Sequence, residues 1–90
     1  MMVARHVIVT GRVQGIFFRA WTKQQADQLG VSGWVRNRSD GSVEAFLEGD
    51  ETAVADLIER MRSGPSAARV DRLDEKAAEP SSDKGFSVRH

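Results

Sequence analysis

Apolar and polar residues alternate near the start of the chain in a pattern that predicts a β-strand. Val7 and Val9 share one face of this strand, and His6, Ile8 and Thr10 share the other. Residues 11–15 contain two glycines and predict a loop. The apolar positions then change to helical spacing over 18–29, and Gly30 is a suitable end for that helix.

The next part of the chain predicts a β-hairpin. Residues 31–38 have the composition of a second strand, and Val43, Ala45 and Leu47 alternate with polar or larger residues in a third. The turn between them is 39–42, where Asp-Gly tolerates the positive φ of a tight hairpin. The second and third strands should therefore pair antiparallel.

A second helix and two shorter strands complete the pattern. Asp50 can serve as the helix N-cap, and Gly64-Pro65 ends the helix. The apolar stripe between them consists of Val54, Leu57, Ile58 and Met61. Residues 68–73 predict a fourth strand, 77–84 a polar loop, and 85–89 a last short strand.

The predicted order is β-α-β-β-α-β with a short C-terminal strand. This order favours an α+β, ferredoxin-like sandwich in which two helices cover one face of an antiparallel sheet. The chain has 90 residues, enough for one domain spanning residues 1–90. Because this fold carries many unrelated functions, it does not supply the function.

The loop before the first helix is a candidate anion site. Gly11 and Gly15 allow the backbone to curl so that successive N–H groups point inward at the helix N-terminus, where the helix dipole also favours an anion. Arg19 falls in the first helical turn and can close over the same anion. The spacing is not that of a Walker loop. Two glycines alone also fit a tight turn beside a solvated arginine.

Asn37, near the end of the second strand, is the second candidate residue. Strand alternation puts Asn37 on the same face as Val35, so it faces the helices if Val35 does. It would then lie near the N-terminus of the first helix, where a neutral amide can hold a water molecule beside a phosphate. The same residue also fits a structural role at the start of the hairpin.

Both segments resemble the two sequence motifs of the acylphosphatase family. Residues 11–19 read GRVQGIFFR and residues 33–43 read GWVRNRSDGSV. The resemblance continues through GPSAARVD at 64–71 and FSVR at 86–89, so it covers nearly the whole chain in order. The one visible departure is Ile16, where valine is commoner, and this exchange of apolar residues changes little.

The resemblance implies an acylphosphatase that hydrolyses the carboxyl–phosphate bond of small acyl phosphates without a cofactor. By position, Arg19 matches the family's phosphate-binding arginine, and Asn37 matches the asparagine that orients the attacking water. The phosphate cradle that the resemblance implies consists of Gly11, Arg12, Val13, Gln14, Gly15, Ile16, Phe17 and Phe18, with Arg19. Inorganic phosphate or sulfate is expected to compete for it.

The composition of the chain excludes several other kinds of functional site. The chain has no cysteine, so thiolate catalysis and cysteine metal sites are impossible, and no His/Asp/Glu cluster has metal-ligand spacing. His6 and His90 are expected to be solvated. No membrane span or leader is evident, which predicts a cytoplasmic protein, and a monomer is expected.

Two other functions fit the same pattern. A non-catalytic module that only captures an anion could use the same loop and arginine. An RNA-binding sheet would need aromatic residues on the open face, where Phe46 has the right parity. However, 13 basic and 13 acidic residues give a net charge of zero, and no RNA-binding motif surrounds Phe46. No nucleic-acid or membrane partner is therefore expected.

Overall fold

The computed structural model describes residues 1–90, which form five strands and two helices. In chain order the elements are β1 (Met2–Arg12), α1 (Phe18–Leu29), β2 (Ser32–Asn37), β3 (Val43–Asp50), α2 (Glu51–Ser63), β4 (Arg69–Ala77) and β5 (Phe86–Arg89). The predicted order of helices and strands is therefore confirmed, as is the ferredoxin-like α+β fold. Neither helix is long and apolar enough to cross a membrane.

The strands form one sheet in the order β4-β1-β3-β2-β5. The predicted hairpin is confirmed: β2 and β3 pair antiparallel, with Val35 opposite Ala45 and Asn37 opposite Val43. β1 lies between β3 and β4 and is antiparallel to both. Alternation along β1 buries Val7 and leaves its neighbours partly exposed, so only one face of the sheet joins the core.

The expectation of a wholly antiparallel sheet is wrong at one edge, because β5 runs parallel to β2. The chain leaves β4 at one edge and reaches β5 at the other through residues 78–85, a segment too short to return along the sheet. β5 therefore starts at the end where β4 stops, which makes it antiparallel to β4 and parallel to β2. Glu48 fixes this crossing by accepting hydrogen bonds from the backbone N–H and the hydroxyl of Ser81, at 2.8 and 2.9 Å.

Two predicted strand boundaries also differ from the structure. Gly11 and Arg12, expected in the loop, extend β1 and pair with Val70 and Arg69 across a shift in register after Thr10. β4 continues to Ala77, although its sequence after Leu73 is almost entirely charged. The backbone N–H and C=O groups of β1 pair with β4 along this whole length. The hydrogen bonds formed in this way outweigh the polar composition of β4.

Both helices pack on the same face of the sheet and share one core. The core residues are Val7, Val9, Val13, Phe18, Ala26, Val31, Val35, Val43, Ala45, Leu47, Val54, Leu57, Ile58, Met61 and Phe86. The predicted stripe of α2 is buried in full, and its predicted N-cap is confirmed by a 3.1 Å hydrogen bond from the N–H of Thr52 to Asp50. Phe18 is buried at the start of α1 and anchors the preceding loop to this core.

Candidate active site

A cavity of about 310 Å³ lies where the N-terminus of α1 meets the ends of β2 and β5. Its lining residues are Val13, Gly15, Phe17, Phe18, Arg19, Ala20, Asn37, Val88 and His90. The structure therefore brings the two separate sequence motifs together, because Arg19 comes from the first and Asn37 from the second. A cavity of this size suits a small molecule.

The backbone at the start of α1 has unpaired N–H groups. The segment is curled by two residues in the left-handed region, Gly15 at φ 74° and Phe17 at φ 63°. The N–H groups of Gly15, Ile16 and Phe17 donate to no acceptor within the protein. No side chain caps α1, and no acidic residue lies in its first turn. These free donors and the positive end of the helix dipole together favour an anion.

The second helix shows how the same chain closes an ordinary helix end. The carboxylate of Asp50 accepts a hydrogen bond from the first turn of α2, and Glu51 adds a negative charge there. α1 has neither feature, although a capping side chain contributes about 1 kcal/mol to stability. The uncapped N-terminus is thus specific to α1, which borders the cavity, and is not shared by α2.

The side chain of Arg19 is held at one edge and free at the other. Its Nη1 donates to the carbonyl oxygen of Arg89 at 2.9 Å and lies 3.1 Å from Nδ1 of His90. Its Nε and Nη2 have no acceptor within the protein. The unpaired edge of a guanidinium group presents two parallel donors, which match two oxygens of a tetrahedral anion. β5 thus orients Arg19 and leaves its bidentate edge available.

Asn37 contains the one buried side-chain oxygen or nitrogen atom in the molecule that lacks a hydrogen-bond partner. This atom is its carbonyl oxygen, Oδ1. Leaving a buried polar atom unpaired costs about 1–3 kcal/mol, so such atoms are rare and often functional. Asn37 also lines the cavity, so its amide lies at the cavity wall.

Gln14 has a structural role in the loop. Its side-chain Nε2 donates to the carbonyl oxygens of Arg38 and Ser42, both at 2.8 Å. These bonds tie the loop to the β2–β3 turn, immediately after Asn37. In that turn the hydroxyl and N–H of Ser42 donate to Asp40 and lower the pKa of its carboxyl below the usual value. The hairpin turn and the loop therefore hold each other in place around the cavity.

Several residues of the predicted cradle lie away from the cavity lining. Gly11 and Arg12 belong to β1, and Arg12 is exposed beside Arg69. A side chain at Gly11 would clash with the carbonyl oxygen of Arg69, so this glycine serves the close approach of β4. Ile16 packs against the core. These positions can shape the loop, but the atoms facing the cavity come from its later part.

His90 is a cavity residue that sequence reasoning missed. It was expected to be solvated, and it is indeed exposed, but its ring lines the cavity and contacts Arg19. Its position depends on the parallel pairing of β5 with β2, where Arg89 lies opposite Arg36. That pairing was not part of the prediction, so no pattern in the sequence placed His90 beside Arg19.

The opposite face of the sheet holds a second concavity of about 460 Å³, which includes Trp34 and Phe46. These two rings stack with centroids 6.4 Å apart. The guanidinium groups of Arg36 and Arg89 lie over Trp34, at 5.4 and 4.6 Å from its centroid. The face of Trp34 is thus occupied by the protein's own cations. No group of three or more His, Asp or Glu side chains anywhere in the chain is arranged to hold a metal ion.

Comparison with known proteins points to one family. The sequence model of the family described as Acylphosphatase matches residues 5–88. The chain is 51% identical over 82 residues to a protein named Acylphosphatase from Nitrobacter hamburgensis, covering 91% of this chain and 83% of that protein. It is 47% identical over 88 residues to one from Acidiphilium cryptum, covering 98% and 97%. The crystal structure of acylphosphatase from Bacillus subtilis superposes with a TM-score of 0.94 at 33% identity, over 100% of both chains.

Proposed function

Because the chain belongs to the acylphosphatase family and hydrolyses acyl phosphates, we propose that the cavity at the N-terminus of α1 carries out this reaction. The observation that carries the proposal is the convergence of free amides, the open edge of Arg19 and the unpaired carbonyl oxygen of Asn37 on one cavity. The first two sets of donors suit a phosphate group. The carbonyl oxygen of Asn37 is an acceptor and suits a neutral nucleophile, such as water, beside the phosphate.

In this proposal the phosphate group of the substrate binds to the N–H groups of residues 15–18 and to Nε and Nη2 of Arg19. Charge-assisted hydrogen bonds of this kind are worth about 1.5–3 kcal/mol each. They also neutralise the charge that spreads over the phosphate oxygens in the transition state. Because β5 already fixes Arg19, its ordering costs little when the substrate binds.

Asn37 orients the attacking water. One O–H group of the water donates a hydrogen bond to Oδ1 of Asn37. This orientation directs a lone pair of the water oxygen at phosphorus. The new P–O bond forms as the bond from phosphorus to the acyl oxygen breaks, and the electron pair leaves on the carboxylate. The proton of the water passes to a phosphate oxygen. The products are a carboxylate and inorganic phosphate.

The leaving group explains why so few residues suffice. A carboxylic acid has a pKa of about 4–5, so the departing oxygen needs no general acid. Positioning and charge stabilisation supply most of the catalysis in phosphoryl transfer. A phosphate monoester must instead release a more basic alkoxide or phenoxide, and no Asp or Glu side chain lines the cavity to protonate it. Acyl phosphates are therefore the substrates that suit this cavity.

The decisive assay compares benzoyl phosphate with 4-nitrophenyl phosphate, using the purified chain. We expect rapid hydrolysis of the acyl phosphate and negligible hydrolysis of the ester. Inorganic phosphate and sulfate should inhibit competitively, because the proposed cradle recognises the tetrahedral anion. Comparable rates on both compounds, or purely non-competitive inhibition, would contradict the proposed chemistry. All the residues involved come from one chain, so we also propose that a monomer is sufficient for activity.

A further inference from the structure

A groove of about 630 Å³ adjoins the phosphate cavity along the exposed side of α1. Phe17 and Ala20 line both the cavity and the groove, so they form the boundary between the two. Beyond this boundary the groove contains the apolar residues Ile16, Trp21 and Pro65. The cavity thus opens beside a surface that is apolar next to the phosphate cradle.

Phe17 is an unusual residue for its place. The residue is 86% exposed, whereas the other exposed large apolar residues, Met1 and Met2, are the first two of the chain. Its backbone adopts φ 63°, a region that side-chain-bearing residues disfavour. Neither the exposed ring nor the disfavoured backbone conformation of Phe17 contributes to the stability of the fold. Such outliers are characteristic of binding sites.

The direction of the reaction relates the groove to the acyl group. In phosphoryl transfer the attacking and leaving oxygens lie on opposite sides of phosphorus. Asn37, which orients the water in the proposed function, lines the cavity but not the groove. Phe17 and Ala20 line both the cavity and the groove, so a leaving group that departs on the side away from Asn37 can reach the groove across them.

The far end of the groove is polar but internally paired. Nζ of Lys23 lies 2.9 Å from a carboxylate oxygen of Asp27, one helical turn away. The charge of this lysine is therefore already balanced. A free carboxylate on the acyl group would meet Asp27 as well as Lys23, whereas an apolar group would contact the nearer rings.

We infer that this groove binds the acyl group, that it favours apolar acyl groups such as aryl or branched alkyl chains, and that Phe17 is its specificity-determining residue. The inference rests on the proposed function, since it takes the position of the leaving group from that reaction. It assigns a role to the side chain of Phe17 that is separate from the phosphate-binding role of its backbone N–H.

The test compares kcat/KM for benzoyl and acetyl phosphate in the wild type, Phe17→Asn and Met2→Asn. Asparagine tolerates the left-handed backbone and removes the ring, while Met2→Asn removes an exposed apolar side chain outside the groove. We expect the wild type to prefer benzoyl phosphate. Phe17→Asn should lower this preference about tenfold, mainly by raising KM for benzoyl phosphate, as expected for the loss of one apolar contact surface. Met2→Asn should leave the preference unchanged.

Phe17→Gly provides a second variant that also removes the ring and fits the same backbone. The inhibition constant of inorganic phosphate reports the state of the cradle in each variant. If both variants lose phosphate binding as strongly as they lose selectivity, Phe17 acts on the cradle and the inference is wrong. An unchanged benzoyl preference in both variants would also overturn it.

Succinyl phosphate tests an acidic acyl group as the alternative occupant. A wild-type preference for succinyl over benzoyl phosphate that disappears in Lys23→Gln would show that the groove recognises a carboxylate, against the inference. If none of these compounds is hydrolysed, the proposed function is wrong, and the inference that rests on it is wrong as well. Activity with the wrong selectivity contradicts only the inference, so the two failures are distinguishable.

Discussion

At the scale of single residues, Arg19 and Asn37 offer different groups to the same cavity. Arg19 presents a charged, bidentate edge whose other side is fixed by Arg89. Asn37 presents a neutral oxygen that has no partner in the protein. In the proposed mechanism the first touches the phosphate throughout the reaction, and the second touches only the water.

We therefore expect Arg19→Ala and Asn37→Ala to lose activity through different kinetic constants. Arg19→Ala should weaken phosphate inhibition and reduce kcat/KM about a hundredfold or more, the equivalent of two charge-assisted hydrogen bonds. Arg19→Lys should restore little, since an ammonium group cannot reproduce the paired donors. Asn37→Ala should reduce kcat and leave the inhibition constant of phosphate nearly unchanged.

The measurements are kcat, the inhibition constant of phosphate and the thermal midpoint of each variant. Asn37→Ala should not lower stability greatly, because it removes a buried oxygen that has no partner. The assigned roles are wrong if Asn37→Ala keeps near-normal turnover. They are equally wrong if it loses phosphate binding as badly as Arg19→Ala.

At the scale of secondary-structure elements, the β2–β3 hairpin determines where Asn37 lies. Within this hairpin, Gly33 has φ 135°. A Cβ atom at this position would clash with the carbonyl oxygen of Phe46 in the paired strand. Gly49, in β3, differs: its Cβ would lie in ordinary contact, 3.6 Å from the nearest atoms.

Gly33→Ala should accordingly lower the free energy of unfolding by about 3 kcal/mol or more, because backbone atoms must separate to accept the methyl group. Gly49→Ala, the matched control in the same hairpin, should change it by less than about 1 kcal/mol. Urea denaturation of both variants is the measurement. Equal stability of the two variants would mean that close backbone approach does not constrain this hairpin.

The open face of the same strands carries a charge cluster that links β1, β3 and β2. Glu44 accepts hydrogen bonds from Nε2 of His6 and Nε of Arg36, both at 2.6 Å. Burial by itself would raise the pKa of Glu44, but these two hydrogen bonds outweigh it, and the pKa is lowered below its ordinary value of 4.5. The folded state therefore favours the carboxylate over the carboxylic acid.

This lowered pKa sets the sign of a pH effect on stability. The contribution of Glu44 should be complete above pH 4.5, the unfolded-state pKa, and should be lost as the pH falls through the folded-state pKa. Glu44→Gln should then be about 1 kcal/mol less stable than the wild type at pH 7. The difference should shrink steadily on acidification. Urea midpoints from pH 7 to pH 3 measure it, and a constant difference would exclude this origin.

At the scale of the whole molecule, the cavity offers hydrogen-bond donors to an anion and has no cluster of metal ligands. The groups that face it include free amides and a guanidinium, which repel cations, and no cluster of acidic or histidine side chains is placed to hold an ion. We therefore expect activity to survive exhaustive chelation. Dialysis against EDTA followed by assay is the measurement. Loss of activity that a divalent cation restores would contradict a metal-free mechanism.

The sequence by itself determined most of the fold. The spacing of Val54, Leu57, Ile58 and Met61 predicted α2, and the Asp-Gly turn predicted the hairpin, because helices and tight turns depend on residues close together in the chain. The two motifs that contain Arg19 and Asn37 indicated the family by their resemblance to it. Strand parity predicted that Asn37 shares a face with Val35, and the structure buries Val35 in the core on the side of the helices, where the cavity lies.

Only the tertiary structure decided what depends on distant pairings. The parallel placement of β5, the extension of β4 along β1 and the contact of His90 with Arg19 all join residues far apart in the chain. The free edge of Arg19 and the unpaired oxygen of Asn37 are likewise properties of the assembled site. Local sequence patterns record how each segment folds, whereas hydrogen-bond partners between segments are set only when the sheet is complete.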